Sequence, residues 1–309
     1  RDLLVGGYGG TSPISSTGSF TQSPNTAVLV GRNLTVGGNY SSSAAVTIGS
    51  GAAFTVSGTT NVGTAQYNST GRLDINGGSA TFVGAVSVGS SSTLSLNGGL
   101  IRTNSIAGSG AFTATTGTLA PYNADLMVNN TTVTITGTSF TFNSADNTGV
   151  GRTLTGSSVN LNTLTRLSKA GSGTAVLFAT SAGTNLLPGG IDLAAGTLRI
   201  DRSAAMQVSG TISGAGSFTK SGAGLLVLTA ANTYTGLTTI TGGTLSIGSD
   251  ANIGGATAPL LFNGATLQVT GTSLTQLATS RNPTFTSGST VGFRVADAAN
   301  TFTVSQGLN

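Results

Sequence analysis

Apolar and small polar residues alternate along most of this chain, and one phrase, apolar-x-apolar-x-Gly, recurs within the alternation. It reads Leu34-Thr-Val36-Gly-Gly, Phe54-Thr-Val56-Ser-Gly, Leu73-Asp-Ile75-Asn-Gly and Leu94-Ser-Leu96-Asn-Gly, with first positions 20, 19 and 21 residues apart. The phrase returns at Val133/Ile135, Leu245/Ile247, Leu267/Val269, Phe293/Val295 and Phe302/Val304. Alternation with period two marks half-buried strands. A fixed spacing of about 20 residues marks a stacked repeat array. Together they predict an all-β fold, a parallel β-helix (β-solenoid) of about 20 residues per coil with no significant helix. The expected domain is one continuous solenoid over residues 1–309, with a less regular, loop-bearing stretch at about 140–190.

A second phrase falls between copies of the first: Val28-Leu-Val-Gly31, Val46-Thr-Ile-Gly49, Val62-Gly63 and Val86-Ser-Val-Gly89. Each unit therefore holds at least two short strands, with Gly, Asn or Ser at corners that need positive φ. Val36, Val56, Ile75, Leu96, Val133, Ile135, Leu245, Ile247, Leu267 and Val269 are the expected inward ladder, each large aliphatic worth roughly 1.5–3 kcal/mol on burial. Thr35, Thr55, Asp74 and Ser95 are expected to face water. Phe140-Thr-Phe142-Asn-Ser-Ala-Asp146-Asn-Thr-Gly149 and the stretch from Ser181 to Pro188 read as longer corner loops.

Composition changes this picture little. Gly, Ser and Thr supply 48, 38 and 53 of the 309 residues, yet 38% of the chain is apolar and regularly placed, which argues for order. Glycine every few residues removes helix, since each costs roughly 1 kcal/mol there relative to Ala. Eight Asp against ten Arg and two Lys give a net charge of +4, too dilute along a rod for a nucleic-acid footprint. No run of 18 apolar residues exists to span a membrane as a helix. The chain opens in strand pattern at Arg1-Asp-Leu-Leu-Val, as a mature product or excised piece would.

The stretch 214–248 contains Phe218-Thr-Lys220-Ser-Gly222-Ala-Gly224, then Asn232-Thr-Tyr234-Thr-Gly236, Thr238-Thr239 and Gly243-Thr-Leu245. It resembles the autotransporter-associated β-strand repeat, with Asn232, Tyr234, Gly236, Gly243 and Leu245 as the family motif. A weaker copy lies 51 residues earlier, where Leu167-Ser-Lys169-Ala-Gly171-Ser-Gly173 matches, and resumes at Gly196-Thr-Leu198. The resemblance implies a right-handed parallel β-helix in a large bacterial protein, extracellular or on the cell surface. Members often end in a membrane β-barrel or sorting tail; these residues end Thr301-Phe-Thr-Val-Ser-Gln-Gly-Leu-Asn309, without such strands.

Chemistry is poorly supplied. The chain has no His, Cys or Glu, which removes the commonest general base, thiolate sites and most acid pairs. Asp192 and Asp201 with Arg199 and Arg202 form the sole candidate grouping, read as solvated charges rather than catalytic groups. No catalytic, metal or cofactor site is expected. Tyr8, Tyr40, Tyr67, Tyr122 and Tyr234 are too sparse to line a sugar-stacking face. The pattern begins at once with Leu3, Leu4 and Val5 and runs on through Phe302 and Val304, so head-to-tail self-association through these ends is expected. A non-enzymatic rod or filament subunit is the leading expectation. An adhesin passenger segment gripping a host or matrix glycan is the alternative.

Overall fold

The computed structural model describes residues 1–6, 17–38, 42–64, 69–157, 159–161, 164–178, 185–187 and 189–304. It is an all-β parallel solenoid of about 23 residues per turn. Each turn visits three faces. The first face stacks Leu3–Val5, Leu34–Val36, Thr60–Val62 and Val86–Val88, and continues to Thr238–Ile240, Leu260–Phe262 and Thr284–Phe285. The second begins Thr17–Gln22, Ser43–Ile48, Thr70–Ile75 and passes from residue 185 into a separate six-stranded sheet that ends at Gly292–Val295. The third stacks Ala27–Val30, Ala53–Val56 and Ser79–Phe82, then Gly137–Asn143, Leu164–Ala170 and Ile191–Leu193 further up. Every ladder between named strands is parallel; one isolated bridge, Ala145 with Gly151, is antiparallel. Among the described residues helix is confined to two single 3-10 turns, Asp250–Ile253 and Thr279–Arg281.

The interior is a column of buried aliphatic and aromatic side chains. One second-face ladder runs Ile48, Ile75, Leu96, Ala114, Ile135, and all five are buried. A third-face ladder runs Phe54, Ala80, Ile101, Leu119, Phe142. Toward the C-terminus Leu245 stacks under Leu267 and Ile247 under Val269. Val36, Val56 and Val133 are buried too, as members of other ladders: Val36 pairs with Val62, Val56 with Phe82, Val133 with Phe112.

The spacing of 20 therefore does not measure a turn at the N-terminal end. Leu34 pairs with Thr60 and Phe54 with Ala80, each 26 residues on. Leu34, Phe54 and Leu73 lie on the first, third and second faces, because steps of 20 and 19 in a 26-residue turn fall one face short. Leu73 and Leu94, 21 apart, do stack directly. The phrase is one strand plus its corner, so its spacing counts strands.

Two outward assignments also change. Asp74 and Ser95 point away from the column yet are buried, Asp74 beneath Arg72, whose Nε donates to both its carboxylate oxygens at 2.9 and 2.6 Å. Ser95 Oγ accepts from Thr113 Oγ1. The loop expected from Phe140 begins later: Phe140 and Phe142 are buried strand residues in edge-to-face contact, centroids 5.2 Å apart. The Ser181–Pro188 loop lies largely outside the described residues, as do Tyr8, Tyr40 and Tyr67.

These placements set a stability order. Ile75→Ala empties part of the column and lowers unfolding free energy by roughly 2–5 kcal/mol. Thr55→Ser, on the outer surface, changes it by less than about 0.5 kcal/mol. Urea midpoints of the two variants measure the difference, and equal midpoints contradict the inside–outside assignment.

Candidate functional site

The residues of the repeat motif converge on corners rather than on a cleft. Lys169 and Lys220, the only lysines, both occupy inward strand positions: Lys169 between Phe142 and Leu193, Lys220 between Ile200 and Ile240. Both side chains are fully covered. Their methylene stems run in the column, and the Nζ groups turn to the corner that follows. Lys169 Nζ donates to the carbonyls of Ala170, Gly171 and Ala195 at 2.9, 2.8 and 2.9 Å. Lys220 Nζ donates to Ser221, Gly222 and Gly242 at 2.8, 2.7 and 2.9 Å. Each ammonium thus joins a corner to the equivalent corner one turn on. That corner carries a glycine at positive φ, Gly196 or Gly243. A Cβ on Gly196 would lie 2.3 Å from Gly173 O and 2.7 Å from Lys169 Nζ; on Gly243 it would lie 2.5 Å from Gly222 O and Gly224 O. Conformation and space both demand glycine there.

The rest of the motif builds the third face where no strand forms. Asn232 Oδ1 accepts from Ile212 N at 2.8 Å and its Nδ2 donates to Asn252 O. Asn252, one turn on, accepts from Gly248 N and Ser249 N in its own loop and donates back to Ala230 O. Tyr234 is buried against Phe218, centroids 6.1 Å apart, with its hydroxyl 2.6 Å from Thr238 Oγ1. Burial pushes its pKa up to about 12. Gly236 passes so close to Gly216 that a Cβ would sit 2.3 Å from its carbonyl oxygen. One turn further, buried Arg281 donates to Asp250 Oδ1 and to the carbonyls of Asp250, Ile253, Gly254 and Ala258. Every motif residue is a folding device.

The corners carry the family resemblance. The passenger-associated-transport-repeat family matches residues 167–200 and 218–247, the two segments that hold the lysine corners. Those two segments are autotransporter-associated repeats. Over 98 residues it is 38% identical to the adhesin BmaC autotransporter of Brucella suis, a match covering 32% of this chain and 3% of that relative. No solved structure matches. The repeat protein is exported and located at the cell surface. Among its described residues no helix is long and apolar enough to cross a membrane.

Elsewhere several of the scarce charges are paired. Arg199 pairs with Asp201 on the first face, whereas Asp192 lies on the third, so the sequence grouping is not one cluster. Asp146 shapes the loop after Asn143. It accepts from the hydroxyl and N–H of Thr148 and the N–H of Val150, and it pairs with Arg152 at 2.8 Å. The Thr148 hydroxyl foremost, then Arg152, hold its carboxyl well below the usual range. At the ends, Val5 is buried, Leu3 packs against the core and Leu4 points outward, 42% exposed. Phe302 stacks on Phe293 at 6.1 Å and Val304 is half-buried.

Burial pulls both lysine ammoniums down to about 8, with Asp201 opposing the shift at Lys220. An unfolded lysine keeps its proton to about 10.5. Between those values the unfolded chain binds more protons than the folded one, so stability rises with pH across the window. Urea unfolding at pH 7.5, 9 and 10.5 should show that rise, and Lys169→Met with Lys220→Met should abolish it. Lys220→Met alone leaves three carbonyls without their donor and costs roughly 1–3 kcal/mol at pH 7. A variant as stable as the parent contradicts the corner role.

Proposed function

We propose that the chain is a stiff segment of an exported adhesin, contributing length and rigidity to the surface protein and performing no catalysis. The observation that carries this reading is the unbroken parallel stack from Leu3 to Thr284, whose column is continuous through both repeat copies. Support also comes from the similarity to a protein named as an adhesin. The absence of His, Cys and Glu from the sequence points the same way. A solenoid contacts only its neighbouring turns, so each added turn adds length at nearly constant local stability.

A second reading, copies stacking head to tail into a filament, is favoured by the outer edge of Leu3–Val5. That strand pairs only with Leu34–Val36 among the described residues. Half-buried Phe293 and Phe302 offer apolar surface at the other end. Head-to-tail contacts of this kind propagate when they do not close.

Negative-stain microscopy of the purified chain over a concentration series separates the readings. Straight rods of one length at every concentration support the adhesin segment. Fibres of uniform width that lengthen with concentration favour the filament. Compact round particles contradict both.

A further inference from the structure

The second face carries a groove of about 480 Å³ across its N-terminal strands. Its floor follows from small residues. Gly18, Ala44 and Gly71 are in register, and a Cβ would lie 2.5 Å from Gly6 N at Gly18 and 2.3 Å from Gly63 N at Gly71. The strands therefore seat directly on the preceding corners. One position on, Ser19, Ala45 and Arg72 share the outward row, and the small neighbours leave the Arg72 side chain 64% exposed. Thr17, Ser43 and Thr70 form the opposite row, and none of their hydroxyls bonds to another described residue.

Arg72 is held for a purpose that its ion pair does not exhaust. Asp74 engages Nε with both oxygens, which fixes the plane of the guanidinium and consumes the only nearby carboxylate. The two Nη groups have no partner among the described residues. A planar pair of donors on a fixed fork fits a carboxylate in bidentate fashion. Beside it the hydroxyl row repeats at the strand spacing of about 4.8 Å along the rod axis. Among the described residues no aromatic side chain lines the groove, and those that do line it offer one guanidinium and a row of hydroxyls.

The geometry points to a binding site for a carboxylate-bearing saccharide chain, laid along the axis with one acid on Arg72 and its hydroxyls against Thr17, Ser43 and Thr70. This goes beyond the rod reading, which stands or falls by microscopy of the unliganded chain.

Calorimetric titration of the full chain tests it, with an oligogalacturonate as probe and a neutral malto-oligosaccharide, a heparin-derived sulfated oligosaccharide and poly-aspartate as comparisons. The oligogalacturonate should bind best, more weakly as salt rises. Arg72→Gln should weaken it by roughly tenfold or more. Ser43→Phe, which fills the groove and leaves the ion pair in place, should do the same should Arg72→Gln disturb folding. Arg32→Gln, at an exposed pair with Asp2 on another corner, should change nothing. No binding, or equal binding by the Ser43→Phe and parent chains, overturns the site. Tighter binding of the sulfated chain overturns the carboxylate, and tighter binding of poly-aspartate or the neutral chain overturns the acidic saccharide.

Discussion

A parallel coil wound this tightly has one recurring problem: at each corner the main chain turns away from its strand ladder and leaves carbonyls facing neither water nor a β partner. An unpaired buried carbonyl costs about as much as the hydrogen bond it lacks. Most corners solve this with the N–H of the next turn, as where Gly63 N reaches Val36 O and Gly89 N reaches Val62 O. Where the turn geometry breaks that match, side chains supply the donors: the two lysines, Asn232 and Asn252, and Arg281. The aliphatic column drives the coil shut, and corner pairing decides which residues may stand between its strands.

This division explains what could be read from the chain and what could not. Inward positions were legible because alternation reports burial directly, and Val36, Val56, Ile75 and Leu96 are all fully covered. Turn length was not, because strand phrases recur three times per turn and a 26-residue turn sampled every 20 residues mimics a shorter one. Asp74 misled for a related reason: strand parity places it outside, but only the three-dimensional neighbourhood reveals Arg72 folded over it. The lysines were read within the two repeat copies and counted among the scarce charges, but given no role of their own. Their signal was present in Lys169-Ala-Gly-Ser-Gly173 and Lys220-Ser-Gly-Ala-Gly224, where a cation stands at an inward position just before two corner glycines.

Charge scarcity then acquires a physical meaning. A column this apolar tolerates an ion only where several main-chain dipoles or a partner receive it. Asp146, Asp201 and Asp250 all meet an arginine, and both lysines meet three carbonyls. Charges so committed hold shape and have little capacity left for chemistry. Arg72 differs in exposure: its side chain is 64% exposed, against 33%, 43% and 0% for Arg152, Arg199 and Arg281.

The two repeat copies sharpen the point. Leu167 begins the first copy on the third face and Phe218 begins the second on the first face. A motif that kept coil register would recur on one face, at a whole number of turns. This one recurs two turns and one strand later, yet its lysine, its glycines and the carbonyls they meet are reproduced atom for atom in role. The unit under repetition is therefore the corner and the turn it closes. Successive copies can rotate about the axis, and turns can lengthen or shorten between them, without disturbing the column. A rod built by that rule can vary the loops it displays from turn to turn while its interior stays the same.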